Sequence, residues 1–66
     1  MKIKLNGKDI EIPGGYKVLD ILKTHSLLGK PLVVELNGVI LNASQFEAVF
    51  FKDGDSLEIV RLVGGG

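Results

Sequence analysis

The sequence lacks the residues that most metal, redox and nucleic-acid sites require. It contains no cysteine, no tryptophan, a single histidine, and eight basic against eight acidic residues among its 66 positions. Without cysteine there is neither a disulfide framework nor an iron–sulfur cluster, and one histidine cannot build a zinc site. The balanced charge argues against a nucleic-acid partner, because such proteins normally carry an excess of Lys and Arg.

Long hydrophobic runs are also missing. The longest, such as residues 48–51, extend over only a few positions, so we expect neither a membrane span nor a membrane partner. Lysines are interleaved with apolar residues near the start, which is not the pattern of a secretory signal. The length allows one domain with a small core. A small cytoplasmic domain is therefore predicted.

The first segment alternates in the manner of a half-buried strand. Ile3, Leu5, Ile10 and Ile12 alternate with charged residues on either side of Asn6-Gly7. Because Asn-Gly accepts positive φ at both central positions of a type I′ turn, this pattern predicts a β-hairpin.

The period then changes to that of a helix. Val18, Ile21, Leu22 and His25 are spaced at i, i+3, i+4 and i+7, which predicts one main helix at about residues 16–25 with an apolar stripe.

Extended segments and turns make up the rest of the domain. Three further strands are predicted, at residues 32–36, 39–41 and 57–63. Asn37-Gly38 joins the first two, and residues 42–51 predict a brief helical turn or a packed loop. A tight turn at residues 52–55 leads into the last strand.

These elements predict an α+β fold in which one helix lies across one face of a mixed sheet of four to five strands. This is the β-grasp, or ubiquitin-like, arrangement, in which the last strand is central and parallel to the first. The domain is assigned to residues 1–63 and a flexible glycine tail to residues 64–66. The predicted core comprises Ile3, Leu5, Val18, Ile21, Leu22, Leu57 and Ile59.

Several side chains that could suggest chemistry are interpreted as structural. His25 is expected to pack on the apolar stripe, and Asp53 and Asp55 to form the turn around Gly54. The phenylalanines have no basic cluster beside them and are expected to pack rather than stack on bases: Phe46, Phe50 and Phe51.

The outward face of the sheet carries a more informative pattern. Alternation places Val33, Val60 and Leu62 on that face, near the glycine tail. Because exposed apolar clusters on small domains often mark partner sites, these three residues are predicted to bind partners.

Gly64-Gly65-Gly66 follows directly on the last predicted strand, with no foreign linker residues between them. Glycine lets a chain thread a narrow channel, so such a tail could deliver a terminal carboxylate into another protein's active site. The chain has no Gly-rich phosphate loop of its own, since Gly14-Gly15 lacks the required Lys spacing and hydroxyl. We therefore expect a carrier that partner enzymes act upon, with no catalytic or metal-binding residues and no bound cofactor.

The sequence resembles the ThiS family of sulfur carrier proteins of thiamine biosynthesis over essentially its whole length. The matching features are the hairpin from Met1 to Gly7, the helix from Val18 to Leu22, the segment from Val34 to Gly38, the turn from Lys52 to Asp55, and the end from Val63 to Gly66. Gly64 is one glycine more than the family's minimal diglycine.

The resemblance implies a cycle on the carboxylate of Gly66, with Gly64 and Gly65 threading the partner's active site. A ubiquitin-activating-like adenylyltransferase of the ThiF type would use ATP to adenylate it. A persulfide sulfur donor would convert the adenylate to a thiocarboxylate, and a ThiG-type thiazole synthase would take the sulfur.

Other functions remain open from the sequence. The small subunit of molybdopterin synthase and ubiquitin-like protein modifiers use the same terminal-glycine chemistry. A β-grasp interaction or regulatory domain without any such chemistry is the alternative of another class.

Overall fold

The computed structural model describes residues 1–62. The predicted domain boundary at Val63 and the glycine tail, Gly64 to Gly66, lie outside the described residues. The elements are strands β1 (Lys2–Leu5) and β2 (Lys8–Glu11), helix α1 (Val18–Thr24), strands β3 (Leu32–Leu36) and β4 (Val39–Leu41), one turn of 3-10 helix (Ala43–Gln45), and strand β5 (Ser56–Arg61).

The five strands form one mixed sheet in the order β2-β1-β5-β3-β4. Strand β5 is central, as the sequence predicts: it runs parallel to β1, with Leu57 beside Leu5, and antiparallel to β3. The predicted β-grasp class is therefore confirmed, with five strands and one helix.

Both Asn-Gly pairs form the predicted hairpin turns. The φ angles are 50° at Asn6 and 82° at Gly7, and 51° at Asn37 and 83° at Gly38. Positive φ at both central residues is the signature of a type I′ turn, whose twist matches that of the strands it joins.

The core lies between α1 and the inward face of the sheet. Its buried residues are Ile3, Ile12, Val18, Ile21, Leu22, Val34, Leu41, Phe51, Leu57 and Ile59. Six of the seven predicted core residues belong to this cluster. The seventh, Leu5, packs against the cluster but is only half-buried, because it is the last residue of β1 before the turn.

Helix α1 begins later than predicted because Lys17 is extended, with φ −107° and ψ 165°. The Lys17 N–H donates to the Asp20 carboxylate at 2.8 Å, which caps the first turn. Lys17 also forms a bridge with Phe50, and Phe51 N–H donates to Tyr16 O at 3.0 Å. Residues 16 and 17 are thus tied to the connector between β4 and β5, residues 42–55, and are not part of the helix.

Two predicted packing residues are exposed instead. His25 ends α1 and lies in solvent, because the helix ends at Thr24 and the chain turns away; its Nδ1 is 3.1 Å from Ile21 O. Phe50 is 55% exposed, with Lys17 Nζ 5.4 Å from its ring centroid. The bridge to Lys17 turns Phe50 outward and Phe51 into the core, since neighbouring residues of an extended segment face opposite ways.

Within residues 1–62, no helix has the length and apolar character needed to cross a membrane.

Candidate functional site

The chain leaves the sheet at the end of strand β5, shortly before the glycines that the sequence predicts to thread a partner's active site. Strand β5 ends at Arg61, and the N–H of Leu62 donates to Pro31 O at 3.0 Å. The backbone therefore stays beside the start of β3 up to Leu62. This end of the sheet is thus the described part of the molecule that lies closest in sequence to the predicted thread, Gly64 and Gly65.

The predicted partner-binding residues meet at this end. Val33 lies directly opposite Val60 in the β3–β5 pairing, and Leu62 follows two positions after Val60. Val60 and Leu62 are 51% and 52% exposed, while Val33 is half-buried between its neighbours. We call these three residues the outer patch. The structure thus brings together the residues that alternation assigned to one face.

Sequence reasoning missed an apolar neighbour on the same face. Ile40 of β4 is 67% exposed and lies opposite Glu35 of β3. Strand alternation could have identified it: Leu41 faces inward, so the preceding residue of the strand must face outward. Ile40 broadens the apolar character of the outer face beyond the three predicted residues.

A pair of carboxylates borders the outer patch. Glu35 lies directly opposite Glu58, one rung beyond Val33 and Val60 along the outer face. Among residues 1–62 neither carboxylate has a cationic partner within 4.0 Å, whereas Lys4 and Asp9 further along the face are paired at 3.5 Å. Like charges directly opposite each other oppose sheet pairing. This face is therefore not optimised for stability.

The two aspartates near the start of β5 accept hydrogen bonds within the domain and form the turn, as the sequence predicts. Asp53 Oδ1 accepts from Lys2 N–H at 2.8 Å, and Asp55 Oδ2 accepts from Lys52 N–H at 2.7 Å. Asp55 Oδ1 also accepts from Asn37 Nδ2 at 3.0 Å. In the described part of the chain, no group of three or more His, Asp or Glu side chains is placed to hold a metal ion.

One shallow depression lies beside this turn, at the end of the sheet where β5 begins. Its volume is about 200 Å³, and its lining includes Lys2, Lys4, Asp53 and Gly54. Pockets for organic ligands usually measure roughly 300–1,000 Å³. This depression is smaller, and it lies at the opposite end of β5 from the outer patch.

The fold defines the class: this is a small β-grasp, or ubiquitin-like, domain with an apolar outer face at the end of its central strand. Comparison with known proteins gives the particular family. The family model described as ThiS family matches residues 3–66, so the chain belongs to the ThiS family.

Individual relatives agree with this assignment. The chain is 35% identical over 65 residues to the sulfur carrier protein ThiS of Bacillus subtilis, covering 97% of this chain and 98% of that protein. The crystal structure of the thiamine biosynthesis protein ThiS from Geobacter metallireducens superposes with a TM-score of 0.81 at 33% identity, over all of both chains.

A third relative is much longer. A thiazole synthase of Paramagnetospirillum magneticum is 33% identical over 66 residues, which is all of this chain but 20% of that protein. Together, the family and the full-length relatives confirm the prediction of a sulfur carrier of thiamine biosynthesis. The residues that carry the sulfur and bind the partners remain predictions.

Proposed function

We propose that this chain carries sulfur as a thiocarboxylate on the carboxyl group of Gly66, for the thiazole moiety of thiamine. The observation that supports this most directly is the family match, which extends through residue 66 and so includes the terminal glycines. Gly64 and Gly65 serve as the thread that places the carboxylate in a partner's active site, because residues without Cβ fit a narrow channel.

The chemistry requires activation, because a carboxylate is a poor electrophile. The Gly66 carboxylate attacks the α-phosphate of ATP on a ThiF-type adenylyltransferase and releases pyrophosphate. The terminal sulfur of a persulfide donor then attacks the acyl carbon, and AMP leaves. A thiol that reduces the resulting acyl disulfide frees the thiocarboxylate, whose sulfur is a nucleophile. ATP is thus used by the partner, and the chain itself is a carrier rather than an enzyme, working in the cytoplasm.

The final acceptor in this proposal is a ThiG-type thiazole synthase. The relative from Paramagnetospirillum supports it, since a protein of that name contains a stretch similar to this whole chain. In that relative a stretch similar to this chain forms part of a protein named thiazole synthase, which favours a thiazole synthase as the acceptor here.

The outer patch is the surface on which we place both enzymes. Val60 and Leu62 are exposed apolar residues next to the point where the chain leaves the sheet. An enzyme that encloses the tail buries this patch at the same time, and burial of exposed apolar area favours association.

The test is intact-mass spectrometry of the chain after incubation with ATP, the activating enzyme and a persulfide source. The expected result is the mass gain of one oxygen replaced by sulfur, localised to the C-terminal peptide and absent when ATP is omitted. ThiS of Bacillus subtilis serves as the positive control for the enzyme. An unchanged mass with an enzyme that modifies the control would contradict the proposal and favour a β-grasp interaction domain.

A further inference from the structure

On its β1 edge, strand β5 is hydrogen-bonded further toward its end than backbone pairing with β1 alone would allow. Strand β1 pairs with β5 only at Lys4 and Leu5, opposite Ser56 and Leu57. At Asn6 the chain turns back into the hairpin, while β5 continues to Arg61. The last residues of β5 therefore lie beyond the reach of the β1 backbone.

The Asn6 side chain supplies the missing rung. Its Oδ1 accepts from the Ile59 N–H at 2.8 Å, in a partly buried position, while its own N–H donates to Leu57 O at 2.9 Å. The next residue whose N–H points to this edge is Arg61, because Leu62 already donates to Pro31 on the other side. Within residues 1–62, the bond from Ile59 to Asn6 is the last one on the β1 side.

The two edges of β5 differ at this end. On the β3 side the backbone ladder continues through Val33 opposite Val60 to Leu32 opposite Arg61, and the bond from Leu62 N–H to Pro31 O ends it. On the β1 side, within residues 1–62, only the Asn6 side chain holds β5 beyond Leu57.

We infer that Asn6 is a positioning residue for the terminal carboxylate. The bond lies three residues before Leu62, where the chain leaves the sheet beside the outer patch. A shift of β5 at this point moves that exit relative to a partner docked on the patch, and activation of a carboxylate tolerates little displacement. Asn6 therefore acts on the reaction through β5, without touching ATP or the acyl carbon.

The chain provides a matched control at the other end of the same strand. Asn37 occupies the same position in the second Asn-Gly turn, with φ 51° against 50° at Asn6. Its Oδ1 accepts from the Ser56 N–H at 2.9 Å, so it also clamps β5 by a side chain, but at the strand's beginning. Asn37 additionally bonds to Asp55, so its loss should cost at least as much stability as the loss of Asn6.

The inference rests on the proposed function, and its test compares Asn6→Gly, Asn6→Asp and Asn37→Gly in ATP–pyrophosphate exchange by the activating enzyme. Glycine keeps the positive φ of both turns and removes only the side chain, while aspartate keeps an acceptor oxygen. We expect Asn6→Gly to lower kcat/KM by about tenfold and Asn6→Asp to restore most of it. The kcat/KM of Asn37→Gly should stay near that of the wild-type chain, even though its melting temperature should fall at least as far as that of Asn6→Gly.

Amide hydrogen exchange gives a readout independent of the enzyme. Measured against each variant's loss of global stability, the Ile59 amide should lose additional protection in Asn6→Gly, regain it in Asn6→Asp, and lose none beyond the global change in Asn37→Gly. Equal loss of activity in both glycine variants, or none in Asn6→Gly, would overturn the positioning role alone. If the wild-type chain supports no pyrophosphate exchange while ThiS of Bacillus subtilis does, the proposed function fails, and the positioning role fails with it.

Discussion

The two faces of the sheet are built from the same strands and do different work. On the inward face Val34 and Leu57 are fully buried against α1, and Ile3 is 1% exposed. On the outward face Val60, one residue from the buried Ile59, is 51% exposed. The first set removes apolar surface from water in the folded monomer, whereas the second leaves much of it in water.

The difference shows which residues stabilise the fold and which contribute little to its stability. A single helix covers only the inward face, so apolar residues on the other face gain little from folding. Glu35 and Glu58 lie opposite each other with no cationic partner among residues 1–62, and their like charges work against sheet pairing. Substitutions on the inward face should therefore change stability, and substitutions on the outward face should change binding.

The largest expected effect is on the inward face. Leu57→Ala should lower the free energy of unfolding by about 3 kcal/mol, because it leaves a cavity at a fully buried site of the central strand. In a domain of this size such a loss is a large part of the total. Urea denaturation followed by circular dichroism measures it. If Leu57→Ala lowers the free energy of unfolding no more than Val60→Ala does, the inward face does not contribute more to stability than the outward face.

The next effect separates binding from folding. Val60→Asp should change the free energy of unfolding by no more than about 1 kcal/mol, since the side chain is half in solvent. It should weaken binding of the adenylyltransferase and of thiazole synthase at least about tenfold, because a charge would be desolvated at the interface. Isothermal titration calorimetry measures both complexes.

Val39→Asp is the matched control for that substitution. Val39 is 63% exposed on edge strand β4, on the inward side opposite Leu36, and lies outside the outer patch. Binding should be unaffected in this variant. Should Val60→Asp bind both enzymes as well as Val39→Asp does, the outer patch is not the docking surface.

The smallest effect is a gain. Glu58→Lys places an opposite charge across from Glu35 and should raise the free energy of unfolding by about 0.5 kcal/mol. Glu47→Lys, at an exposed site in the connector outside the strands, should leave it unchanged. Paired denaturation curves at low salt measure the difference. No gain at position 58 would mean that the two carboxylates do not repel each other appreciably.

Most of the fold could be predicted because its signals are local. Alternation in β1 and β3 and the two Asn-Gly turns are readable within a few residues, and they fix which face each side chain occupies. The assignment of Val33 and Val60 to the outward face followed from that alternation alone.

What could not be predicted depends on contacts between distant residues. Asn6 was interpreted only as a turn former, because its bond to Ile59 joins residues 53 positions apart. The same holds for Asn37 and Ser56, which are 19 apart. The orientation of Phe50 depends on its bridge to Lys17, which no periodicity reveals. A hydrogen bond between a side chain and a distant strand can be predicted only when the register of the strands is known.

In the proposed function the body of the domain folds and docks, and the terminal carboxylate of Gly66 reacts. Removing Gly66 separates these two roles, with the melting temperature and ATP–pyrophosphate exchange measured on the same sample. Among residues 1–62, the buried core extends from Ile3 to Ile59, so we expect the melting temperature to be unchanged. Exchange should be lost, because the acyl carbon is displaced by about one residue, roughly 3.5 Å. Full exchange without Gly66, from a chain that melts as before, would show that the carboxylate of Gly66 is not the group that is activated.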